Sequence, residues 1–122
     1  MANVFDKIWQ LAEPYYEKGR AYNKEHVQWM AGHVEKILAV QKELNADVLM
    51  PLTLLHDVGY SVIDEKNPDI KGRATKILHM VEGAKIAEKI LRQLEFDPSL
   101  SKEIVYLVSV HDNWALGDSL PY

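Results

Sequence analysis

Leu52-Thr53-Leu54-Leu55-His56-Asp57-Val58-Gly59 is an apolar helical stretch that runs into an imidazole, a carboxylate and a glycine. Leu52, Leu55 and Val58 repeat at helical spacing, and Gly59 is a stop signal. Pro51 suits a helix only in its first turn, which starts this helix just after Asn45-Ala46-Asp47. Outward from it the same 3.6-residue apolar period continues, and no stretch alternates with β-branched enrichment. The spacing therefore predicts an all-α chain, a compact bundle of five to six helices forming one domain over 1–122.

The other helices follow from the same signals. Asn3 caps a first helix to Lys18, with Phe5, Ile8, Trp9 and Ala12 on one face, Pro14 as a bend and Gly19 as its end. Asn23 caps a second helix reaching Leu44, whose buried stripe reads His26, Val27, Met30, Ala31, Val34, Ile37 and Leu38. Ser61 to Gly72, with Pro68 and several charges, is the longest irregular run. A fourth helix from Arg73 to Leu94 buries Ile77, Leu78, Val81, Ile86, Ile90, Leu91 and Leu94. Its Gly83 costs about 1 kcal/mol against Ala, which marks a site of close backbone approach. Asp97-Pro98 opens a fifth helix as N-cap and first residue, carrying Ile104, Leu107, Val108 and His111 at i, i+3, i+4 and i+7.

Composition narrows the function. The 122 residues carry 18 acidic and 14 basic side chains, a formal charge of −4 without the basic excess that drives binding to a phosphate backbone, so nucleic acid is not an expected partner. No apolar run is long enough for a signal peptide or a membrane span, and the expected setting is the cytoplasm. Cysteine is absent, which removes disulfides, thiol catalysis and cysteine-based metal sites together. Any metal must be held by His, Asp or Glu.

Five histidines stand at 26, 33, 56, 79 and 111, and helical spacing puts at least four of them on faces otherwise filled with Leu, Ile, Val and Met. One buried ring finds carbonyl or carboxylate partners easily; four on four helices are harder to satisfy separately. A shared metal ion satisfies them all, since a neutral imidazole ligates through one nitrogen and donates through the other. Asp57 beside His56 can reach the same ion, and His111-Asp112 repeats the pair on another helix. His33 shares the azimuth of His26 and, flanked by Gly32 and Glu35, is expected at the rim. Such donors suit Mn²⁺, Fe²⁺, Co²⁺, Ni²⁺ or Zn²⁺, as one or two ions. A carboxylate-bridged di-iron bundle is excluded, because the residues three before the histidines are Asn23, Met30, Thr53, Lys76 and Val108, with no Glu. The plain alternative is a helical interaction domain whose histidines are core and rim residues.

The order Asn23-Lys24-Glu25-His26-Val27, then Leu54-Leu55-His56-Asp57-Val58-Gly59, then His79 with Gly83-Ala84, then His111 resembles the HD domain superfamily of metal-dependent phosphohydrolases. The resemblance covers about residues 20 to 112. It implies an HD-like helical fold, His26, His56 and Asp57 as ligands of one ion, and His79 and His111 as the additional histidines that some members use for a second. Asp112 and Asp118 are the only carboxylates between His111 and Tyr122, so one of them would take the place of the family's distal aspartate.

The function implied is hydrolysis of a small phosphomonoester or nucleotide-like molecule by a metal-activated water, with Asp57 and His79 as the catalytic residues. The ion acidifies the water towards a pKa of about 7 and neutralises phosphoryl charge. Arg20 and Lys24 before His26, and Lys71, Arg73 and Lys76 before His79, are the cations expected at the mouth, with Arg20, Lys24 and Arg73 as the substrate-binding candidates. A second reading keeps helices and ion but drops turnover, giving a metal- or ligand-sensing module. Trp114, Leu116 and Tyr122 are candidates for covering the first helix or a second copy in a homodimer.

Overall fold

A computed structural model describes residues 3–63 and 72–116. Five α-helices follow one another, α1 (Val4–Lys18), α2 (Asn23–Val40), α3 (Ala46–Leu55), α4 (Arg73–Gln93) and α5 (Pro98–Val110). Short 3-10 turns at Val58–Val62 and Asn113–Leu116 continue the chain after α3 and α5. No strand occurs among the described residues, and none of their helices is long and apolar enough to cross a membrane.

Local chemistry sets the helix starts. Asn3 Oδ1 accepts from the Asp6 amide at 2.9 Å and Asp97 Oδ1 from the Leu100 amide at 3.0 Å, so both N-caps stand where the sequence put them. α2 differs. Its cap is Tyr22 in the left-handed region (φ 67°), Asn23 is its first helical residue, and it ends at Val40 rather than Leu44. α3 ends at Leu55, before the expected Gly59. Pro51 lies inside α3, beyond the first turn, and forfeits the amide bond to the exposed Asp47 end.

The core gathers Ile8, Ala12 and Tyr16 from α1, Val27 from α2, Leu54 and Leu55 from α3, Ala87, Ile90 and Leu91 from α4, and Ile104 and Val108 from α5. Fully buried Leu and Ile side chains of this kind each contribute about 1.5–3 kcal/mol. α4 packs on α5 and on the Val58–Val62 turn; α3 packs on α1, α2 and α5. That arrangement brings the ends of α3 and α5 against the first half of α4.

Gly59 makes the approach possible. A Cβ there would stand 1.9 Å from the His79 carbonyl oxygen and 2.7 Å from the Gly83 amide nitrogen. The turn after α3 thus lies backbone to backbone on α4, and Gly83 is the close approach that its helix-interior position suggests.

Two apolar stripes differ from expectation. In α4, Ile77, Leu78 and Val81 are exposed, because α5 and the turn cover only the face of Thr75, His79, Met80, Gly83 and Ala87. In α2 the buried face centres on Val27, while His26, His33 and Ile37 are exposed. At 100° per residue His26 sits off that face, and α2 packs mainly on α3 and α1. Lys71 and Asp118, named above, lie outside the described residues.

Candidate metal centre

Asp57, His79, His111 and Asp112 each offer a ligand atom within 4.8 Å of all the others. His79 is wholly buried and comes from the first half of α4; the other three follow the ends of α3 and α5. Its Nε2 lies 3.3 Å from Asp57 Oδ1, 3.2 Å from Asp112 Oδ2 and 3.1 Å from His111 Nε2. His111 Nε2 is in turn 3.4 Å from Asp57 Oδ1 and 3.7 Å from Asp112 Oδ2. His56 flanks the group, with its Nε2 3.3 Å from Asp57 Oδ2. Asp57 therefore faces His79 and His111 with one oxygen and His56 with the other.

The two His-Asp pairs are built alike. His56 and His111 each cap the C-terminus of a helix in αR conformation, at φ −59°, ψ −30° and φ −61°, ψ −24°. Each Nδ1 lies 2.7 Å from the carbonyl three residues upstream, Thr53 O and Val108 O. A carbonyl oxygen can only accept, so Nδ1 carries the proton in both rings and Nε2 is left as a lone pair in the neutral imidazole. Those lone pairs point at carboxylate oxygens, and that of His111 also at His79 Nε2. Electron-rich atoms in such contact need positive charge between them, as protons or as a cation.

A divalent cation fits this donor set. Its two charges balance the two carboxylates, its imidazole and carboxylate donors match a borderline to hard ion, and the Thr53 and Val108 carbonyls fix the tautomers that ligation needs. Burial opposes ionisation of Asp57, but the His111, His56 and His79 rings, donating to it when they carry a proton on Nε2, outweigh burial and hold the carboxyl far below the ordinary range. Burial opposes protonation of His56, and the Asp57 carboxylate outweighs it, raising the ring's pKa.

Tyr16 was not singled out by sequence. Its buried hydroxyl donates to Leu54 O at 2.8 Å and accepts from the Asp57 amide at 3.4 Å, tying α1 to the end of α3 where the His-Asp pair begins. Burial, helped by the Asp57 charge, raises the phenol's pKa and keeps it a neutral donor. The available signal was its place on the stripe Ile8, Ala12, Tyr16, a polar tip on an apolar face.

The remaining candidates divide. His26 is not brought to the cluster; its exposed ring stacks on Trp29 at 6.1 Å, and Trp29 contacts His33 at 4.2 Å. Lys24 is bound by Glu13 at 3.0 Å and Glu17 at 3.4 Å on α1. Arg73 Nη1 donates to Leu116 O at 3.1 Å, holding the end of the Asn113–Leu116 turn to the start of α4. Arg20 does approach: its guanidinium lies 4.2 Å over the Tyr60 ring, which stacks on His79 at 4.3 Å. Lys76 Nζ is 3.8 Å from Asp112 Oδ2.

The sequence model of the HD domain matches residues 23–118, most of the chain. The chain belongs to the HD domain family. Over 75 residues it is 31% identical to a Bacillus subtilis (strain 168) protein named "Putative phosphohydrolase YueE". That stretch is 61% of this chain and 43% of the relative, so this HD domain covers less than half of the relative's length. No solved structure gives a significant match. The family is one of metal-dependent hydrolases, and the described residues include a group that could hold an ion, Asp57, His79, His111 and Asp112, with His56 beside it.

Proposed function

We propose that this HD domain hydrolyses a small phosphomonoester or nucleotide-like phosphate with the help of a divalent ion. The observation that carries the reading is the convergence of Asp57, His79, His111 and Asp112 on one spot, with His56 beside them and two tautomers fixed by main-chain carbonyls. A bound ion supplies Lewis acidity and lowers the pKa of water towards about 7.

Asp57, held ionised and pointed inward, would hold the ion and orient the attacking water. His79 would hold the ion from inside the fold, where its burial excludes bulk water. Arg20, over the Tyr60 ring, and Lys76, beside Asp112, are the cations that would draw in a phosphate. His26, implied by the family resemblance, stands outside this donor set. The carboxylate completing the set is Asp112 in this reading.

Protein stripped with a chelator and then given Mn²⁺, Co²⁺, Ni²⁺ or Zn²⁺ is to be assayed with p-nitrophenyl phosphate and nucleoside monophosphates. Ion-dependent phosphate release that Asp57→Asn abolishes is the expected result. Tight ion binding without release from any of these substrates would sink the hydrolase reading. It would leave the second one, a metal-holding sensing module, which is favoured by the engagement of Lys24 with Glu13 and Glu17 away from the cluster.

A further inference from the structure

Three imidazoles converge on the cluster, but they are aimed in two different ways. His56 and His111 are each held by a hydrogen bond from Nδ1 to a carbonyl. His79 is not. Its Nδ1 is buried with no hydrogen-bond partner among the described residues, although the ring is wholly inaccessible. What bears on it instead is a stack. The Tyr60 ring lies 4.3 Å from it with only 14° between the planes, and the Arg20 guanidinium lies 4.2 Å over the Tyr60 ring.

The chain builds this column locally. Tyr60 directly follows Gly59, whose missing side chain lets the turn press on the α4 backbone at His79. Arg20 follows Gly19, where a Cβ would be in ordinary contact, 3.5 Å, with Ser61 N and Tyr60 C, so the link between α1 and α2 runs against the same turn. Parallel stacking fixes the plane of the His79 ring. Asp57 and Asp112 then select which edge faces them, because the nitrogen edge, and not the carbon edge, can carry a proton or bind an ion between those carboxylates.

We infer that Tyr60, capped by Arg20, is a positioning residue that takes the place of a hydrogen bond in aiming His79 Nε2 at the ion. The inference rests on the ion-holding part of the proposed function and not on turnover. It predicts that a ring is needed at position 60 and a hydroxyl is not.

Co²⁺ titration, read by the d–d absorption of the bound ion, tests it. Tyr60→Phe is expected to bind with wild-type affinity and spectrum. Tyr60→Leu, folded by far-ultraviolet circular dichroism, is expected to bind about tenfold more weakly with an altered spectrum, the size of effect seen when a ligand loses its orienting partner. A folded Tyr60→Leu that matches wild type in affinity and spectrum overturns the inference. Should Tyr60→Leu not fold, Arg20→Met carries the test, with a fall of about threefold expected and no change overturning it. Nitrogen-15 spectra of the histidine rings in the metal-free protein give a readout that needs no ion. One sharp His79 set in wild type and Tyr60→Phe, and a broadened or doubled set in Tyr60→Leu or Arg20→Met, is expected. Identical sets in all of them overturn it. Wild type that binds Co²⁺ but releases no phosphate would count against the hydrolase reading alone.

Discussion

His79 and His111 face each other through their Nε2 atoms at 3.1 Å, and Asp57 Oδ1 lies within 3.4 Å of both. The Val108 carbonyl keeps the His111 proton on the far nitrogen, so His111 Nε2 can only accept, and a proton on His79 Nε2 or a cation must lie between the two rings. Chelator-treated protein should therefore take up Co²⁺ or Zn²⁺ and gain stability on doing so, by about 2.7 kcal/mol at a hundredfold excess over Kd. His111→Ala and Asp57→Asn should each weaken uptake by at least about tenfold, measured by calorimetric titration.

His26 gives a prediction of the opposite sign. Exposed on α2 and stacked on Trp29, it makes no contact with the cluster, so His26→Ala should leave Co²⁺ affinity within about twofold of wild type. A loss of tenfold or more in the same titration would show that ion binding turns α2 and recruits the ring.

Gly59→Ala should be among the most damaging single changes. Its new methyl group would meet the His79 carbonyl oxygen at 1.9 Å, and backbone cannot step aside as a flexible side chain can. A loss of about 3 kcal/mol or more is expected from urea unfolding, the upper range for overpacking. Gly83→Ala should cost much less. Its nearest atom is Gly59 N at 3.3 Å, and alanine recovers about 1 kcal/mol of helix propensity.

Tyr16→Phe removes one oxygen and leaves two main-chain groups, Leu54 O and the Asp57 amide, without it. The expected cost is about 1–3 kcal/mol in urea unfolding, with weaker ion binding because the start of the His56-Asp57 pair loses its tie to α1.

The metal-free protein should be most stable in mildly acid solution. Asp57 has a lowered pKa when folded, so its contribution is present above the ordinary carboxylate value of about 4 and is lost as pH falls through the folded value. His56 has a raised pKa, so its contribution is full below the ordinary imidazole value of about 6.5 and fades as pH rises through the folded value. An ion competes with protons for the same donors, so the loaded protein should follow the reverse trend. Thermal melts at pH 5.5 and pH 8, with and without chelator, should show the two orders exchanged.

How legible this was in the sequence depended on how local each cause was. The caps at Asn3 and Asp97 and the extent of α4 were readable, since each rests on residues within one turn of it. Gly83 was readable because a helix-interior glycine needs a reason. The inward histidines at 56, 79 and 111 were readable because a titratable ring on an apolar face is costly unless something answers it. The facing of α2 was not: apolar residues cover more than one side of it, and only its packing on α3 and α1 selects Val27 over His26. Nor were the roles of Tyr16 and Tyr60, whose partners at Leu54 and His79 are far along the chain.

The meeting of His79 with His111 spans 32 residues of sequence, and neither is held to the other by any covalent bond. An ion shared between them would close that loop much as a disulfide does, an effect of about 3–4 kcal/mol in loops of this size. A chain without cysteine would then owe its one cross-link to a coordination bond. Reducing agents would leave that link untouched, whereas a chelator would cut it and let α4 and α5 part at the end where the chemistry is done.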